Sequence, residues 1–118
     1  MGRFVAGDVI FLRFPFDDLS SDKSRPALVL GAVGESQYLV AYVTSQEKQR
    51  SRGAIEITQE DLIDGELRKT SFIRPDILFT ARDRIIRRKV GSISRDKHKM
   101  AVESLVRFVQ SNLAERQI

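Results

Sequence analysis

At 118 residues, 42% of them hydrophobic and 31% charged, the chain is sized for one domain with one core, and wholesale disorder is excluded. It has no cysteine and a single histidine, His98, which excludes a disulfide framework, a thiol nucleophile, a thiolate metal site and a histidine-rich zinc site. The net charge of +4 is unevenly placed, because residues 82–99 carry eight basic against two acidic side chains while residues 1–81 carry ten against twelve.

The opening Met1-Gly2-Arg3-Phe4-Val5-Ala6-Gly7-Asp8 has no secretory pattern, and no apolar run nears the ~20 residues that cross a bilayer. A soluble cytoplasmic protein is therefore expected, with no membrane partner. Val9 to Phe14, apolar except for Arg13 and stopped by Pro15, reads as a strand. A polar segment, Pro15 to Ser24, leads to the apolar run Pro26 to Val33, and after a short turn Tyr38 to Val43 follows. These two runs should pair as an antiparallel hairpin, and being apolar on both faces they belong in the middle of a compact sheet or small barrel. A second polar, basic segment runs from Thr44 to Gly53. Ile55 and Ile57 alternate with Glu56 and Thr58, which predicts a strand with one wet face. Phe72 to Phe79 is strand-like, with Pro75 marking a bulge or an edge because it cannot donate to a ladder. Ile85, Ile86 and Val90 form one more short strand. The period then changes: Val102, Leu105, Val106, Val109 and Leu113 lie on one helical face, with Ser94 as N-cap, and that stripe should lie on the sheet. Five or six strands followed by one helix predict a mainly β domain spanning 1–118.

Two connections of about ten residues in so small a domain point to binding. Arg25 opens one hairpin strand and Thr44-Ser45 closes the other, so the three should meet at one end of the sheet. A guanidinium fork with two hydroxyls suits a phosphate; alternatively Arg25 pairs with Asp17 or Asp22 and the hydroxyls only cap the strand. The cluster Arg82, Arg84, Arg87, Arg88 and Lys89 is either a patch for a polyanion such as nucleic acid or a solvated strand. His98, beside Lys97 and Lys99, reads as a surface histidine.

The strings Gly7-Asp8-Val9-Ile10, Phe14-Pro15-Phe16, Arg25-Pro26-Ala27-Leu28-Val29-Leu30 and Val43-Thr44-Ser45 resemble the MazF/PemK family of toxins from bacterial toxin–antitoxin pairs. So do Ser71-Phe72-Ile73-Arg74-Pro75-Asp76-Ile77-Leu78-Phe79-Thr80 and Lys89-Val90-Gly91, and the likeness, from residue 7 to about 110, is greatest to the PemK-like branch. The resemblance implies an SH3-like small β-barrel with helices, a homodimer and a cognate antitoxin. It also implies a metal-independent endoribonuclease, without cofactor, that cuts mRNA at short single-stranded sequences. In that chemistry the ribose 2′-hydroxyl attacks the adjacent phosphorus, leaving a 2′,3′-cyclic phosphate and a 5′-hydroxyl.

By the same resemblance Arg25 matches the phosphate-binding catalytic arginine and Thr44 the hydroxyl that holds the scissile phosphate. Arg74 and Asp76 match the Arg-x-Asp pair used as acid and base. Asp76 would be the base and both arginines electrostatic stabilisers; alternatively Asp76 is an ion-pair partner of Arg74 or Arg82. Ser45, Gln46 and Asp17 are further substrate-binding candidates, and Arg87 and Arg88, for which the resemblance supplies no role, join them as residues that would track phosphates. One departure is that Asp17 and Asp18 stand in the first loop where some members place a histidine. Two other readings are a non-catalytic nucleic-acid-binding barrel and a CcdB-type gyrase poison. The latter group shares a C-terminal Trp-Gly-Ile, whereas this chain lacks tryptophan and ends Glu115-Arg116-Gln117-Ile118.

Overall fold

The computed structural model describes residues 3–13, 24–47 and 51–113. Within them the chain forms β1 (Asp8–Leu12), β2 (Arg25–Gly34), β3 (Gln37–Thr44), β4 (Ile55–Ile57), a 3-10 turn at Gln59–Asp61 and β5 (Leu62–Gly65). It continues through β6 (Ser71–Arg82), a second 3-10 turn at Asp83–Ile85, β7 (Ile86–Ile93) and α1 (Arg95–Leu113). The strands make one curled antiparallel sheet in the order β4-β6-β3-β2-β1-β7-β5.

The unbroken apolar runs of β2 and β3 have a simple cause. Successive side chains point to opposite faces, and both faces are covered here. Ile10, Leu12, Ala27, Val29, Tyr38 and Val40 fill one core, while Val9, Leu28, Ala41, Val43, Ile57 and Ile73 fill the other. Tyr38 anchors the first core: its ring meets Phe4 edge-on at 5.5 Å, and its hydroxyl accepts the Arg3 amide at 2.7 Å. As the alternation predicts, Glu56 of β4 is exposed between buried Ile55 and Ile57.

Pro75 sits at a bulge. The β3–β6 ladder passes from Ala41↔Leu78 to Tyr42↔Arg74, so Pro75, Asp76 and Ile77 of β6 have no partner in β3. β5 has no counterpart in the sequence reading. Leu62 is its one partly buried residue, so no alternation betrays it; it is held by main-chain pairing to β7, where Gly65 lies opposite Gly91. A Cβ on either glycine would overlap the backbone of the other strand, and Gly65 also has a left-handed φ of +91°.

Ser94 caps α1 as expected, its Oγ accepting the Lys97 amide at 3.2 Å. The expectation for the helical stripe is overturned. Ala101 and Ser104 are the residues buried on α1, and Val102, Val106, Val109 and Leu113 are exposed. The small pair lets the helix approach β4 and β6 closely, and Ser104 donates to the Gly53 carbonyl at 2.6 Å, which sets the rotation. The valine ridge, one step around the helix, then faces away. Among the described residues no helix is long and apolar enough to cross a membrane.

Candidate active site

The β2–β3 hairpin positions the first pair of candidate residues. The ladder pairs Ala27 with Tyr42, and carrying that register to the strand ends sets Arg25 opposite Thr44. Directly opposed residues share a face, with Cβ atoms about 5 Å apart. Both line a cleft of about 540 Å³, together with Ser45 and Gln46. Thr44 is 5% exposed, and its Oγ1 accepts the Gln46 amide at 3.1 Å, which fixes the chain as it leaves β3.

The other side of this cleft is built from β1, β7 and the connector after β5. Arg88 lies over the Phe11 ring, its guanidinium carbon 5.0 Å from the centroid. Glu66, Leu67, Arg68 and Lys69 add a wall. Among the described residues, four cations, Arg25, Arg68, Lys69 and Arg88, border the cleft against one carboxylate, Glu66. The neighbours of Arg88 in the basic cluster do not join it. Lys89 turns to Asp8 at 3.4 Å and Asp64 at 3.6 Å, and exposed Arg87 is not among the lining residues. Asp17 lies outside the described residues, as does Asp22.

Arg74 and Asp76 occupy the β6 bulge. Arg74 grips Asp76 with two prongs, Nη2 to Oδ2 at 2.7 Å and Nε to Oδ1 at 3.2 Å, and Ser51 donates its hydroxyl to Oδ1 at 3.1 Å. The hydrogen bond from Arg74 holds the Asp76 carboxyl below the usual carboxylate range and holds the guanidinium above its own. The ion pair to Arg74 that the sequence left open is thus present.

The four candidate catalytic residues do not line one cavity. Asp76 borders a second depression, of about 610 Å³, with Arg52, Gly53, Ser104 and Arg107. Tyr42 connects the two regions: it lines the Arg25 cleft, and its partner in β6 is Arg74. His98 lies apart from both depressions. It is partly buried, its Nδ1 has no hydrogen-bond partner among the described residues, and burial pushes its pKa below the usual histidine value. Among the described residues no group of three or more His, Asp or Glu side chains is placed to hold a metal ion. Sequence reasoning missed Phe11, Tyr42, Arg68 and Lys69 at the cleft. The adjacent basic pair between Gly65 and Ser71 was the available signal, but without β5 nothing placed it.

The model of the PemK-like, MazF-like toxins of type II toxin–antitoxin systems matches residues 6–109. No curated protein matches the chain in sequence. Among solved structures, the fold is similar to a mycobacterial endoribonuclease in complex with its cognate antitoxin, at 10% identity and TM-score 0.66, over 90% of this chain and 92% of that one. It is also similar to the Mycobacterium tuberculosis toxin MazF-mt6, at 18% identity and TM-score 0.64, over 87% and 96% of the two chains. A chain of a MazE–MazF structure from Deinococcus radiodurans matches at 16% identity and TM-score 0.67, over 89% of this chain and 93% of that one. At these identities the likeness establishes the MazF-type fold.

Proposed function

The chain belongs to the PemK-like, MazF-like toxins of type II toxin–antitoxin systems, and we propose that it is an endoribonuclease acting on single-stranded mRNA in the cytoplasm, without a metal. One observation carries this reading: Arg25 and Thr44, at the adjoining ends of β2 and β3, line a single cation-bordered cleft.

In-line attack by a ribose 2′-hydroxyl needs charge stabilisation at phosphorus, a base for the attacking hydroxyl and an acid for the leaving 5′-oxygen. Arg25 supplies a guanidinium fork to the non-bridging oxygens, and Thr44 adds a neutral donor from a buried, turn-fixed position. Asp76, which borders the neighbouring depression and is joined to the cleft through Arg74 and Tyr42, takes the 2′-proton of a strand that spans both. Arg74 stabilises the developing charge. While Arg74 holds it, Asp76 is a weak base; a phosphate drawn to Arg74 competes for the guanidinium and raises the basicity of the carboxylate. The products are a 2′,3′-cyclic phosphate and a 5′-hydroxyl, the leaving 5′-oxygen taking its proton from water. Ser45, Gln46 and Arg88 line the same cleft and contact the strand around the cut, which gives sequence selectivity. Arg87, on the exposed side of β7, attracts RNA at longer range.

The toxin is a homodimer inhibited by a cognate antitoxin. Supporting both partners, α1 leaves Val102, Val106, Val109 and Leu113 exposed, an apolar ridge of the sort that a partner chain covers.

The test is a long single-stranded RNA incubated with the pure protein in EDTA, followed by mapping of the ends. Cuts bearing 2′,3′-cyclic phosphates, abolished when 2′-deoxy replaces the ribose before the cut, are expected. Intact RNA across many sequences, with binding retained, would instead favour the non-catalytic barrel.

A further inference from the structure

The wall that the connector after β5 adds to the cleft is a fixed structure, and its fixation is unexplained by the chemistry at the scissile bond. The connector from Glu66 to Thr70 begins at Gly65, pressed against Gly91 of β7. Gln59 then clamps it from the side: its Oε1 accepts the Leu67 amide at 2.7 Å, and its Nε2 donates to the Gly65 carbonyl at 3.2 Å. At the far end Ser71 donates its hydroxyl to the Lys69 carbonyl at 3.0 Å. The backbone of Leu67 to Lys69 is thus tied at both ends, while the Arg68 side chain is 89% exposed and among the described residues pairs with Glu66, at 3.7 Å. Across the cleft, Arg88 rests on Phe11, and among the described residues it has no carboxylate partner. A guanidinium stacked on a ring keeps its N–H edge directed outward, ready for a phosphate.

We propose that Arg68, Lys69 and Arg88 form a subsite for a second phosphate of the RNA strand, flanking the phosphate that Arg25 and Thr44 hold. The proposal rests on the nuclease reading above. The cleft volume of about 540 Å³ falls in the ~300–1,000 Å³ range of sites that enclose a small organic molecule, room for more than one isolated phosphate. An RNA strand is favoured over an acidic peptide because the same cleft offers Phe11 and Tyr42 beside the cations, and interleaved aromatic and basic groups suit bases and phosphates together.

The probe is a ten-nucleotide RNA spanning a mapped cut, made non-cleavable by one 2′-deoxy substitution, with each flanking phosphate replaced in turn by a neutral methylphosphonate. If no cut is found, oligouridine of the same length serves. The wild type should lose affinity at one flanking linkage, and Arg88→Ala and the Arg68→Ala/Lys69→Ala variant should be indifferent to that replacement. The slope of log affinity against log salt should become shallower by about 0.7 for each cation removed. Variants that lose as much as the wild type from every neutral linkage, or that keep its salt slope, would overturn the subsite. So would unchanged RNA affinity with weakened binding of the antitoxin alone. Failure of the wild type to cleave the all-ribose parent would strike the nuclease reading instead, leaving the binding comparison to decide the subsite.

Discussion

A carboxylate clamped by an arginine and an arginine at the mouth of a cleft set different conditions on pH. Asp76 is held below the usual carboxylate value chiefly by its hydrogen bond from Arg74. If Asp76 acts as base, only its ionised form is active, so the rate should stay high until the pH falls below the ordinary aspartate value of about 3.9. Removing the guanidinium lets the carboxyl pKa rise. Arg74→Ala should therefore slow cleavage and move the acid limb of the rate profile to higher pH; an unmoved limb would mean that another group is the base. This scale was partly open to inference from sequence. Arg25 and Thr44 could be placed together because each ends a recognisable hairpin strand. The choice between Arg74 and Arg82 as partner of Asp76 could not, since it depends on a three-residue bulge at Pro75 that periodicity does not resolve.

Strands and helix divide the same way between what patterning reports and what it cannot. Alternation and long apolar runs locate the central strands because burial on one or both faces leaves that trace. β5 leaves none: it owes its place to a glycine contact and to ladder hydrogen bonds. Gly65→Ala should accordingly cost about 1–3 kcal/mol in urea unfolding, since the new methyl would meet Val90 while φ stays left-handed. It should also weaken RNA binding by displacing the connector that carries Arg68. Wild-type stability would show that β5 is held some other way. For α1 the period identified the helix and its stripe but not which face packs inward. An apolar stripe records that something covers it, and here Ala101 and Ser104, not the valines, meet the sheet.

Across the whole molecule, the charge asymmetry and the uncovered ridge are separate features with separate tests. Of the basic cluster, Arg88 lines the cleft, while Lys89 is paired with Asp8 and Asp64. Replacing both Val106 and Val109 with Asp should change stability by no more than about 0.5 kcal/mol per site, as they are exposed. The mass in solution should fall from dimer to monomer; a persisting dimer would place its interface elsewhere. The architecture brings Arg25 and Thr44 to one cleft, and if both act on one phosphate, as proposed, they should not contribute independently. The most direct measurement is the single-turnover cleavage rate at one mapped RNA site for Arg25→Ala, Thr44→Val and the double variant. Arg25→Ala should lose about 10²–10³ in rate, Thr44→Val should also be slower, and the double variant should lose less than the product of the two single losses. Wild-type rates in both single variants, or cleanly multiplicative losses, would contradict the account.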